Sequence, residues 1–265
     1  MRCSDDNYYV VKLQNNPQGK RVLANDLFGA LLAKRLGLPV AEPAVIDVSE
    51  ALIKLTDEMV FISTDKTVSC QAGPSFGSRY VSEDPLGAIF GAESVDTFLP
   101  RSRMRQVTNL SDFIGMLVFD KWTSNRDTRQ VVYRQNRAEA SWTAIMIDQG
   151  LCFGGAGWDF PDILGLGAAF ADVAYESITG IDVFEPWLDR VEDEIDETVL
   201  EKLASEVPTE WYDGDADALR ELVATLNRRR GIVRKLLRTT WEDYPRLFPN
   251  WIGQRSRPIA VAANA

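Results

Sequence analysis

The sequence predicts an α+β fold of two lobes: a small β-rich N-terminal lobe with one main helix over residues 1–100, connector included, and a larger, mostly helical lobe over residues 101–265. Strand-like runs and a single strong helical stripe fill the first half. The second half opens on an apolar helix and ends in two long amphipathic stretches. Between the halves, residues 73–100 are rich in Gly, Pro and Ser and sustain no period, as a connector would.

Residues 7–13 hold the run YYVVKL between SDDN and NNPQG, a β-branched and aromatic segment bounded by turns, with Lys12 near its end. From Arg21 the period changes. Val22, Leu23, Leu27, Leu31, Leu32 and Leu36 form a helical stripe that stops at Gly37 and Pro39. Residues 40–48 and 58–62 are short apolar stretches expected to return to the same sheet. After the connector, Ser111 is the expected cap of a helix, FIGMLVFDKW, that is apolar on nearly all sides and so should be buried. Two strands, residues 129–134 and 142–147, flank the polar segment QNRAEA as a hairpin would. A glycine-rich loop over residues 150–167 follows. Residues 186–207 and 215–239 then place apolar side chains at helical spacing among charges, predicting an exposed amphipathic pair.

The chain has 265 residues, 45% of them hydrophobic and 26% charged, a profile of ordinary globular proteins. Its apolar runs fall far short of the roughly 20 residues that cross a bilayer, and its start carries no apolar signal core, so the expected location is cytoplasmic. Cys3, Cys70 and Cys152 are too few and too scattered for a disulfide framework or a CxxC site, which suits a reducing compartment. A formal charge of -10 argues against binding to nucleic acid or an anionic membrane. The local basic clusters, Arg101 with Arg103 and Arg105, and Arg228 to Arg230 with Arg234, Lys235 and Arg238, are expected to be solvated faces or internal ion pairs. There is no His, which excludes Ser-His-Asp and Cys-His catalysis and His-ligated metals. Carboxylates, amides and Lys remain, and they suit phosphoryl transfer, where positioning a metal nucleotide does most of the work.

The stretch DKWTSNRDTRQVVYR, followed by WTAIMIDQG, carries the candidate chemistry. In an antiparallel hairpin the residue entering the first strand and the residue leaving the second are neighbours, so Asp127 is expected beside Asp148. With Asn125 and Gln130 they would form an oxygen-rich site for Mg2+ and a nucleotide phosphate. Gly150, two residues past Asp148, allows a sharp turn.

A helix, a loop with an Asp, a hairpin and then Asp-x-Gly follow one another in the order of parts in protein kinases. With YYVVKLQNNPQGKRVLANDLFGALLAKRLGLP and DKWTSNRD, the chain resembles the HipA-like kinase family over residues 7–250. The resemblance implies a bilobal, protein-kinase-like fold and an ATP-dependent kinase acting on a hydroxyl, with protein Ser or Thr as one acceptor class. Lys12 would then hold the α and β phosphates and Asp26 would orient Lys12. Asp127 would be the catalytic base, Asp148 the main Mg2+ ligand, and Gln130 would stand where such kinases have Asn. The position five residues after Asp127 is Val132, so a second register, with Asp120 as base and Asn125 five residues on, is also open. Asp26 is one methylene shorter than the usual Glu, which predicts a long or water-bridged pair with Lys12. No Gly precedes Lys12, so the lobe is expected to lack the first strands of a kinase. Either the start is truncated, or another loop such as Gly154, Gly155 and Gly157 covers ATP, or the chain is a pseudokinase or regulatory module. A protein-interaction domain that uses its acidic helices is the third alternative.

Overall fold

The computed structural model describes residues 1–62, 66–82, 95–136, 140–169 and 172–253. The N-terminal sheet has the order β1-β5-β2, all antiparallel. Strand β1 (Tyr9–Lys12) is followed by helix α1 (Arg21–Arg35) and β2 (Pro43–Val48). Helix α2 (Glu50–Leu55) comes next, with Ser49 accepting the Leu52 N–H as its cap. Among the described residues, strands β3 (Val60–Ile62) and β4 (Thr67–Ser69) pair with each other and not with the first sheet, so residues 58–62 do not rejoin it as expected. Both flanks of its central strand are already taken by β1 and β2.

That central strand is β5 (Gly73–Arg79), inside the segment expected to be an irregular connector. Its glycines hide the strand pattern, and Gly77 is there for space: a Cβ on it would lie 2.6 Å from Ile46 Cγ1 on β2. Residues 83–94 of the same expected connector lie outside the described residues.

Helix α1 is buried on nearly every side, including Asn25 and Asp26. It ends in a Schellman turn, with Leu38 N–H donating to Ala33 O and Gly37 N–H to Lys34 O, and with Gly37 at φ 76°. The chain beyond runs against the second lobe, where Met146 N–H donates to Pro39 O at 2.6 Å and Ala41 N–H to Met146 O at 3.1 Å.

In the second lobe β6 (Val95–Asp96), β7 (Val131–Asn136) and β8 (Ser141–Met146) form an antiparallel sheet, with Val131 opposite Met146. Residues 137–139 of the expected turn lie outside the described residues. Helix α3 (Arg101–Met104) precedes α4 (Asp112–Trp122), which is buried from Phe113 to Trp122 as its all-round apolarity predicts. Ser111 does not cap α4, because its own backbone is helical. Asn109 anchors the start instead, donating to Asp112 and Ala144 O and accepting from Ala144 N–H.

The stretch expected as one helix over residues 186–207 is two, α5 (Glu185–Asp193) and α6 (Glu197–Ala204), with Asp196 capping the second. Residues 215–239 likewise divide into α7 (Ala216–Arg229) and α8 (Val233–Asp243) at Gly231. Their apolar faces, with Leu226, Val233 and Leu237 buried, join the main core around α4. Several of the basic side chains form ion pairs, Arg101 and Arg105 with Glu176, Arg228 with Glu221, and Arg229 with Asp162. Among the described residues no helix is long and apolar enough to cross a membrane.

Candidate active site

Strand β1 delivers Lys12 to the cleft between the lobes, where its ammonium donates to Asp26 Oδ2 and to Asp148 Oδ1, each at 2.8 Å. The Lys12–Asp26 pair is therefore direct, contrary to the expectation of a long or water-bridged one. The short side chain suffices because two glycines bring α1 against the loop after β8. A Cβ on Gly29 would lie 2.7 Å from Gln149 Cβ, and one on Gly150 would lie 2.6 Å from Val22 Cγ1. Asn25 seals the same contact, donating to Gly150 O and Cys152 O and accepting from Trp158 Nε1 at 2.7 Å.

Asp26 is wholly buried, and its other oxygen accepts Gln149 N–H at 2.8 Å. Desolvation outweighs the attraction of Lys12 and pushes the Asp26 carboxyl up to about 6. Desolvation also works against the Lys12 ammonium, but there the two carboxylates prevail and raise it above its ordinary value.

Asp148 sits at φ 55°, in the left-handed region that is costly for most residues with a Cβ and that Asp tolerates through local side-chain bonds. Its Oδ1 also accepts Gly150 N–H at 3.3 Å, while Oδ2 makes no hydrogen bond among the described residues. The side chain is 35% exposed, so it is open to a ligand as the buried Asp26 is not.

The loop before β7 is held by a buried ion pair absent from the sequence reading. Arg129, fully buried, takes both oxygens of the equally buried Asp120, and its Nη1 donates to Ile147 O at 3.0 Å. Asn125 donates to Asp120 Oδ1 at 2.9 Å and accepts Asp127 N–H at 3.0 Å, so both ends of its amide shape the loop. Asp120, with both oxygens engaged and no exposed side-chain surface, presents nothing to an acceptor, which removes the ground for the second register. Asp127 is half-buried and accepts Thr128 N–H at 2.7 Å and Gln130 Nε2 at 3.1 Å.

Hairpin pairing continues past the strands, with Ile147 N–H donating to Gln130 O at 3.2 Å. It brings Arg129, not Asp127, level with Asp148. Asp127 and Asp148 consequently line adjoining cavities that share Ile147, instead of forming the single carboxylate pair expected. One, of about 150 Å³, is bordered by Lys12, Asp26, Asp148, Val10 and Val132. The other, of about 410 Å³, is bordered by Asp127, Gln130, Phe98 and Tyr133. No group of three or more acidic or Cys side chains able to hold a metal occurs among the described residues. An ion here would need oxygen from Asp148, Gln130 and its own ligand, a donor set that suits Mg2+.

A family profile described as HipA-like kinase matches residues 1–244. No curated protein matches the chain. Among solved structures, the Golgi casein kinase is similar at 14% identity and a TM-score of 0.49, over 92% of this chain and 70% of that one. The Golgi casein kinase with Mn/ADP bound gives 13% identity and the same TM-score and coverage.

Gln149 is 2% exposed, and its Nε2 has no hydrogen-bond partner. Because a buried unsatisfied amide costs about 1–3 kcal/mol, Gln149→Met should raise the unfolding free energy by about 1 kcal/mol in urea titration. The raised carboxyl of Asp26 binds its proton more tightly in the folded than in the unfolded chain. Its stabilising proton uptake is complete below the ordinary carboxyl value of 3.8 and is lost as pH rises through about 6. The stability difference between wild type and Asp26→Asn should therefore move toward wild type as pH falls from roughly 7 to 4.5; a flat difference across that window would remove Asp26 as the titrating group.

Proposed function

Since the chain belongs to the HipA-like kinase family, we propose that it binds Mg-ATP in the cleft between its two lobes and transfers the γ-phosphoryl group to a hydroxyl acceptor. Family membership supports a kinase-like phosphotransferase, and the arrangement of residues supports the finer reading. The observation that carries it is the single ammonium of Lys12, 2.8 Å from both Asp26 and Asp148.

Val10 on β1 faces the same cavity as Val132 and Ile147 on the hairpin, an apolar sandwich suited to a nucleobase. Lys12 lies in the same cavity and neutralises phosphate charge there, and Asp26 and Gln149 N–H fix where it points. Asp148 would offer its free oxygen to a divalent ion, and the Gln130 amide oxygen, from the adjoining cavity, would be a further donor. The ion supplies charge neutralisation on the phosphates. Asp127, in the adjoining cavity, orients the acceptor hydroxyl and takes its proton. A second reading is the same fold without turnover, favoured by the Gln130 amide already bonded to Asp127 Oδ2.

Thermal unfolding with and without millimolar Mg-ATP tests the nucleotide site. A ligand that binds only the folded state at a hundred times its dissociation constant adds about 2.7 kcal/mol, enough to raise the midpoint by several degrees. Wild type should show that shift and Asp148→Asn should lose it; no shift in wild type overturns the reading. Asp127→Ala should keep the shift while transfer from labelled ATP falls about a hundredfold or more, and the opposite pattern would make Asp127 a binding group.

A further inference from the structure

The cavity beside Asp127 is larger than a catalytic carboxylate needs. It measures about 410 Å³ and is walled in large part by Phe98, Leu99, Tyr133 and Ala169, with Thr97, Asp127, Thr128, Arg129 and Gln130 among its polar lining. Phe98 is 75% exposed, an aromatic ring left at the rim with open surface. Tyr133, opposite, is 4% exposed, and its phenol makes no hydrogen bond among the described residues. A hydroxyl that makes no protein hydrogen bond, on the wall of a cavity, is available to bond a ligand atom placed there. Desolvation pushes this phenol up to about 12, so it meets a ligand as a neutral donor or acceptor.

The charges are equally informative. Among the described residues Arg129 is the one cation bordering the cavity, and its guanidinium is engaged by Asp120 and the carbonyl of Ile147. Among the described residues no cation on this wall is free for an anionic ligand, and the Asp127 carboxylate would repel one.

We propose that this cavity is the acceptor subsite, and that it takes an uncharged hydroxyl compound with a bulky apolar group next to the hydroxyl-bearing unit. The proposal rests on the phosphotransfer reading and names its substrate class. The apolar group lies against Phe98 and Leu99, a polar atom beside it meets the Tyr133 phenol, and the hydroxyl faces Asp127. There the acceptor oxygen bonds to the γ-phosphorus as the bond to the β–γ bridging oxygen breaks; ADP leaves, and the hydroxyl proton passes to Asp127. Two sources share this chemistry: a Ser or Thr beside Phe or Leu in a polypeptide, and a free aromatic alcohol.

The test uses the whole chain with Mg2+ and γ-labelled ATP, after thermal unfolding has established whether Mg-ATP binds. Three acceptors are offered: Ser/Thr peptides with Phe or Leu beside the hydroxyl residue, the same peptides with Asp or Glu there, and 2-phenylethanol. Labelling of the apolar peptides or of the alcohol should exceed that of the acidic peptides at least tenfold, and which of the two is labelled identifies the source. Tyr133→Phe should raise the acceptor KM several-fold and leave the KM for ATP unchanged, a split that loss of folded protein would not produce. Equal or preferred labelling of the acidic peptides, or an unchanged acceptor KM in Tyr133→Phe, overturns the proposal. Mg-ATP binding with none of the three labelled also overturns it and leaves the nucleotide site standing, whereas absence of Mg-ATP binding removes both.

Discussion

Asp26 has no exposed surface, yet three separate pieces of chain meet at its carboxylate. It sits on α1, accepts the ammonium of Lys12 from β1, and accepts the Gln149 N–H from the loop after β8. A charge placed so deep is tolerated only when its lone pairs are engaged. The requirement acts as a positional constraint, because α1, the edge strand and the loop can satisfy the carboxylate only in one mutual arrangement. Asp148 then takes its place from that arrangement, held by Lys12 on one side and by its bond to Gly150 N–H and left-handed backbone on the other.

Asp120 plays the corresponding part in the second lobe. With Arg129 it forms a buried pair that joins α4, the loop before β7 and the carbonyl that precedes Asp148. Replacement of such pairs by apolar groups is often neutral or favourable, so its value here lies in position more than in stability. The two buried carboxylates flank the peptide of Asp148 from opposite directions, Asp26 through Gln149 N–H and Asp120 through Arg129. The loop that faces the cleft is fixed at both ends while its one exposed carboxylate remains open.

Much of this was legible in the sequence. Changes of period marked β1, α1, α4 and the hairpin, and the order of Lys12, Asp26, Asp127 and Asp148 carried the family resemblance that the profile match supports. Strand β5 was not legible, because Gly73, Pro74 and Gly77 read as turn residues unless the neighbouring Ile46 is known to need the space. Arg129 was passed over for a similar reason: an Arg entering a strand looks solvated until its partner nine positions earlier proves to be a buried Asp. Asp127 and Asp148 were placed together by counting from the strand ends, but the pairing runs further along the hairpin than the apolar residues do. The phenol of Tyr133 carries no sequence signal, since lacking a partner is a property of three-dimensional surroundings.

The backbone bonds between the segment after α1 and β8 have a consequence for control. Many two-lobed catalysts can be turned off by swinging a helix of the small lobe outward, which draws the acidic partner away from its lysine. Here Met146 N–H is bonded to Pro39 O, Ala41 N–H to Met146 O, and Asn25 to the loop carbonyls. An outward swing of α1 would have to break these bonds together and expose a fully buried carboxylate. Helix α1 is thus a fixed wall of the cleft rather than a lever, and the left-handed backbone of Asp148 sits against that fixed wall.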